Sequence, residues 1–109
     1  MSAIYKPEHV KNVIDLKSDI GYQENSIVSK VYITRENTSI TLFAFGEGQK
    51  IDAHSAPVDA YVQVLEGEAK ITISGEDFIV KEGSFIIMPA GEPHALLALT
   101  KFKMLLFKI

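Results

Sequence analysis

The sequence predicts an all-β fold, a sandwich or barrel built from short strands. Two observations carry this. From residue 26 onward, runs rich in Val, Ile, Tyr, Phe and Thr recur at near-regular spacing, divided by turns containing Gly, Pro, Asn or Asp. Over the same span no long stretch keeps a helical apolar period. The chain has 109 residues, 47% hydrophobic and 23% charged, which suits one domain with its own core.

The elements follow in order. Val10, Val13 and Ile14 stand at helical spacing after Pro7 and suit a short helix; residues 13–16 suit a strand equally well. Residues 1–25 are therefore read as a leader packed on a barrel of residues 26–109. Residues 26–34 and 40–45 pair as a hairpin across a turn at Glu36-Asn37-Thr38-Ser39. Gly46-Glu47-Gly48 ends that unit. Strands are then expected at 61–65 and 69–73, the second closed by a turn at Ser74-Gly75-Glu76-Asp77. Residues 78–80 lead into Lys81-Glu82-Gly83, and 84–88 form a strand ended by Pro89-Ala90-Gly91-Glu92-Pro93. Residues 94–99 and 102–107 complete eight to ten strands. Phe85-Ile86-Ile87-Met88 and Met104-Leu105-Leu106-Phe107 are apolar at consecutive positions. A strand buried on one face should alternate, so these are expected to bury both faces, the second against another sheet or a partner chain. A homodimer is the expectation that follows.

Composition excludes several functions. Formal net charge is −3 and Arg35 is the only arginine, which disfavours a nucleic-acid surface. The absence of cysteine removes disulfides, thiolate nucleophiles, thiolate zinc sites and iron–sulfur clusters. No apolar run approaches the ~20 residues that span a bilayer, so no membrane partner is expected. The first residues, MSAIYKPEHVKN, carry no apolar signal core, and the expected location is cytoplasmic.

Two segments carry spaced motifs. Gly48 is followed after five residues by His54, and Gly67 closes the segment. Gly83 is followed after five residues by Pro89, then Gly91 and His94. Fifteen residues separate Gly67 from Gly83. In this spacing the chain resembles the cupin family, and specifically small single-domain cupins with H-x-A-P-x-D-A in the first motif and F-K-M-L-L near the end, here Phe102 to Leu106. The resemblance implies a double-stranded β-helix, the cupin or jelly-roll barrel. It also implies a metal centre in those members that keep two His and a Glu from the first motif and a His from the second. Here the second His of the first motif is Ala56 and the Glu is Ala60. The terminal Asn of the second motif is Ala98. Only His54 and His94 of the implied ligand set remain.

Three readings of these histidines compete. In the first they hold one divalent metal ion (Zn, Fe, Ni or Mn), with Asp59 the candidate third ligand beside the vacated position and Gln63 a weaker one. Strict alternation would turn Asp59 away, unless Pro57 breaks it. In the second they do metal-free acid–base chemistry, their pKa values lowered by an apolar barrel. In the third they anchor a carboxylate or hydroxyl in an apolar pocket lined from among Phe43, Phe45, Tyr61, Val62, Val64, Met88 and Met104. The preferred function is small-molecule binding centred on His54 and His94. The alternatives are a metal-dependent oxygenase or isomerase of a small organic substrate, and a metal-free sensor or regulatory subunit. His9 is expected to be exposed in a polar leader. Lys101, Lys103 and Lys108 are read as the solvated face of the last strand. Glu66 and Glu68 are read as water-facing residues at a turn, and Met88 and Met104 equally suit core filling.

Overall fold

The computed structural model describes residues 3–109. Nine strands are present among them: β1 (Ile27–Arg35), β2 (Thr38–Phe45), β3 (Lys50–His54), β4 (Ala60–Glu66), β5 (Glu68–Ile73), β6 (Glu76–Lys81), β7 (Phe85–Met88), β8 (His94–Ala98) and β9 (Phe102–Lys108). All pairings are antiparallel. One sheet has the order β1-β2-β9-β4-β7 and the other β3-β8-β5-β6. Two such sheets packed face to face form a jelly-roll barrel. No helix among the described residues is long and apolar enough to cross a membrane.

Alternation decides which side chains meet between the sheets. In β4, Ala60, Val62 and Val64 are buried while Tyr61 and Gln63 are only partly so. β5 buries Ala69, Ile71 and Ile73, and β8 buries His94, Leu96 and Ala98. With Phe45, Phe102 and Met104 these residues fill the barrel. Gly67 turns the chain from β4 into β5 with φ +76°, a conformation that costs a side-chain-bearing residue about 1–2 kcal/mol. The β5–β6 hairpin turns on Ser74-Gly75 alone, both at positive φ, as a two-residue hairpin requires. Glu76 and Asp77 belong to β6, and Thr38 and Ser39 to β2, so both turns are tighter than expected.

The leader is neither an α-helix nor a strand at 13–16. A single 3-10 turn, Pro7–His9, follows the proline, and Val13 is fully exposed. Three apolar residues at helical spacing do not offset the cost of nucleating a helix this short. The leader is instead held by its later residues. Ile20 is buried with Leu42, Ala44 and Leu105 on the outer face of the five-stranded sheet, and Leu16 and Tyr22 pack beside them. This cover accounts for the apolar run in β9. Phe102 and Met104 face the barrel, while Leu105 faces the leader. The run in β7 has no such cover. Phe85 and Ile87 are more than half exposed, so of the two covers expected for this strand's second face, another sheet or a partner chain, no second sheet supplies it.

Three polar expectations also change. Lys103 is buried on the leader side of β9: its Nζ donates to the Lys17 carbonyl, lies 3.9 Å from Glu66 and sits 4.9 Å from the Tyr22 ring centroid. Glu66 accepts a 2.5 Å hydrogen bond from the Tyr22 hydroxyl and so is not simply solvated. Burial, with the Glu66 hydrogen bond and its negative charge added, pushes the Tyr22 phenol well above its usual range. His9 is half-buried, edge-on to Tyr32 at 4.9 Å between centroids, rather than exposed. A second clasp ties Asp19 to β1. The Tyr32 hydroxyl and then Lys30 hydrogen-bond its carboxylate and hold its pKa low.

Candidate functional site

The barrel interior opens into a cavity of about 390 Å³. Its wall is mostly apolar: Phe43 from β2, Ile51 from β3, Met88 from β7, Leu96 from β8 and Met104 and Leu106 from β9. The segment Ser55 to Val58, with Ala60, also lines it. His54 and His94 both line it.

The two histidines arrive by different routes. His94 opens β8 and faces inward, with Leu96 following at the next inward position. His54 ends β3, three residues after Ile51. An odd offset would send these two side chains to opposite faces. The β3–β8 register shifts between Ile51 and His54, and both residues face the cavity. This is the re-aiming that a bulge performs. Past the shift His54 and His94 are direct cross-strand partners, their ring centroids 4.5 Å apart at 65°. His94 is buried and His54 is exposed at the mouth.

Each ring is fixed through Nδ1. His54 Nδ1 lies 3.0 Å from the Asp52 carbonyl and His94 Nδ1 3.3 Å from the Glu92 carbonyl. A carbonyl only accepts, so Nδ1 carries the proton in both rings and the Nε2 edges are left for a ligand. Burial lowers the His94 pKa. The Glu92 carbonyl opposes that shift, and the charges of His54 and Lys108 add to it.

The other expected residues divide. Phe43, Met88 and Met104 line the cavity with the histidines. Phe45, Val62 and Val64 lie in the core beneath it. Tyr61 does not reach it. It stacks on Phe85 at 4.6 Å, meets Phe107 edge-on at 5.4 Å, and its hydroxyl donates to Gln63 at 3.3 Å, all on the other side of β4. Its neighbours Ala60 and Val62 take the inward positions, and alternation gives Tyr61 and Gln63 the opposite one. Asp59 is not brought to the histidines either. Its carboxylate accepts the Ala90 backbone N–H at 2.8 Å, tying the β3–β4 connection to the β7–β8 turn. Lys108 is exposed, as expected of a solvated lysine, and it also lines the cavity. On β9 it shares parity with Phe102, Met104 and Leu106, while Lys103 falls on the other face. That parity was the available signal.

These residues do not fit a resident metal. Among the described residues no group of three His, Cys, Asp or Glu is placed to hold one. Two imidazoles are an incomplete donor set beside the three or four protein ligands of ordinary zinc and iron sites. At Ala56 and Ala60 the wall offers methyl groups.

A family model for the cupin domain matches residues 41–108. The chain belongs to the cupin family. Among solved structures, this cupin is 42% identical to a conserved protein of unknown function from Streptococcus pyogenes, with a TM-score of 0.91 over 100% of this chain and 95% of that one. It is 43% identical to a cupin 2 conserved barrel domain protein from Leptotrichia buccalis, with a TM-score of 0.85 over 88% of this chain and 47% of that one, so the cupin spans about half of that relative. The salicylate 1,2-dioxygenase of Pseudoaminobacter salicylatoxidans shares the fold, with a TM-score of 0.70 and 18% identity over 75% of this chain and 26% of that one. No protein of curated function matches.

Proposed function

We propose that this cupin binds a small organic molecule in its barrel, with His54 and His94 as polar anchors. The supporting observation is the pairing of a cavity of about 390 Å³, apolar over most of its wall, with two imidazoles whose Nε2 atoms make no hydrogen bond among the described residues. Small-molecule sites generally combine an apolar concavity with a few placed polar groups. The test is a thermal-shift screen of small carboxylates and sugars on the wild type and His94→Ala. A ligand present at about a hundredfold its Kd stabilises by about 2.7 kcal/mol, a clear rise in Tm. His94→Ala is expected to fold and to lose that rise. Unfolding of the variant without ligand would instead assign His94 to holding the barrel together.

A second reading, a metal-dependent oxygenase or isomerase, has one observation in its favour. Nδ1 of both rings is anchored on a backbone carbonyl, as metal-ligating histidines commonly are. Among the described residues no third donor stands with the two histidines, so elemental analysis of untagged protein is expected to find far less than one metal per chain. One equivalent of divalent metal, lost in His54→Ala, would move the assignment to the enzyme.

We also propose that the cupin forms a homodimer. β7 lies at the edge of its sheet and carries exposed Phe85 and Ile87 beside Tyr61. A two-fold mate would cover both the open backbone edge and the apolar stripe with one self-complementary contact. Sedimentation equilibrium should give a dimer for the wild type and a monomer for Phe85→Glu with Ile87→Lys. A wild-type monomer at micromolar concentration would refute it.

A further inference from the structure

We infer that the ligand is an organic monocarboxylate whose charged end pairs with Lys108 at the cavity mouth, an inference that rests on the small-molecule reading above. Alternation along β9 carries it first. Phe102, Met104 and Leu106 point inward in turn, and the next inward position is Lys108. The strand thus grades from aromatic to aliphatic to cationic as it reaches the mouth. A lysine there can lay its methylenes along the apolar wall and keep its ammonium at the opening.

Cross-strand register carries it further. Lys108 stands directly opposite Ala60 on β4, where side chains approach within about 5 Å. A methyl group offers the ammonium nothing. No aspartate or glutamate lines the cavity. Asp59, next to Ala60, gives its carboxylate to the Ala90 N–H. Glu36, on the β1–β2 turn, shares an adjoining groove with Lys108, outside the cavity. Lys108 makes no ion pair among the described residues. Its charge nevertheless reaches His94, where it disfavours a second positive charge.

The rest of the wall sets the kind of anion. Lys108 brings an ammonium to the cavity wall, so the charged end belongs there. One flexible ammonium with no arginine fork suits a single negative charge better than a phosphate. Arg35 does not line the cavity. The wall of Phe43, Ile51, Met88, Leu96 and Met104 calls for an apolar body behind the carboxylate.

The experiment titrates benzoate and hexanoate, and their neutral analogues benzamide and hexanamide, into the cupin by calorimetry. Inorganic phosphate is run alongside. The proteins are wild type, Lys108→Met and Ala60→Glu, each checked for fold by NMR. In the wild type the acids should bind about tenfold or more tightly than the amides. Lys108→Met should lose that preference and leave amide binding as it was. Ala60→Glu places a carboxylate opposite Lys108 and should abolish binding of the acids. Amides that bind the wild type as tightly as the acids, or acids indifferent to Lys108→Met, would overturn the inference and leave the pocket reading standing. Phosphate binding as tight as benzoate would overturn the apolar body. If neither acids nor amides bind and the wider screen is blank, the pocket reading falls and the inference with it.

Discussion

Gly67→Val is expected to destabilise the cupin by more than about 3 kcal/mol, enough to leave little folded protein at growth temperature. Two costs combine. The residue sits at φ +76°, which a β-branched side chain resists. A Cβ built there would also lie 2.2 Å from the Lys101 carbonyl oxygen, 2.7 Å from the Thr100 hydroxyl and 2.9 Å from the Phe102 Cβ. A carbonyl cannot swing aside as a side-chain tip can, so the segment leading into β9 has to move. Gly75→Val separates the two costs. Gly75 has φ +83° and nothing within 4 Å of its would-be Cβ. It should lose only about 1–2 kcal/mol. Urea titrations of the two variants with equal midpoints would mean that the close approach at Gly67 is not felt.

Phe45→Ala should cost about 3–5 kcal/mol and lower Tm by more than about 10 °C. Phe45 is completely buried and stacks on Phe102, its register partner on β9, at 4.5 Å and 28°. Truncation removes the ring's burial, a stacked pair worth about 0.5–1.5 kcal/mol by itself, and leaves a gap in the core beside the barrel cavity. Phe43 is the informative contrast. It is only half-buried and lines the open cavity, so Phe43→Ala should disturb ligand affinity more than the fold. A loss below about 1.5 kcal/mol for Phe45→Ala would show that the core collapses into the gap.

The strands of the second half were legible because they are short apolar or alternating runs and most of the turns between them carry glycine or proline. β3 was not. Lys50–His54 holds two charged residues and an exposed alanine, and four of its five positions are exposed. Nothing in that pattern resembles a strand; its pairing with β8 makes it one. The two histidines were legible as a pair through motif spacing, but the bulge that turns His54 inward was not. Tyr61 and Val62 were both offered as lining residues, although neighbours on a strand face opposite ways. The register that excludes Tyr61 comes from β9 and β7, far off in sequence. Lys103 departs from its expected solvated place for the same reason. Lys103 and Lys108 differ in parity, so they could not share a solvated face. The burial of Lys103 depends on Lys17, Tyr22 and Glu66, which no local pattern joins to it.

The placement of β9 has a kinetic consequence. It lies between β2 and β4, and neither is its neighbour in the chain. The β1–β2 hairpin can form locally, as can β5–β6. The five-stranded sheet cannot, because β1-β2 and β4-β7 touch only through β9. Phe45 and Phe102 must meet across more than half the chain before the two halves become one sheet, and the entropy of closing that loop is lost before the core it creates can compensate. The cavity, which takes its Phe43 wall from one half and its Met88 wall from the other, comes into existence only at that step.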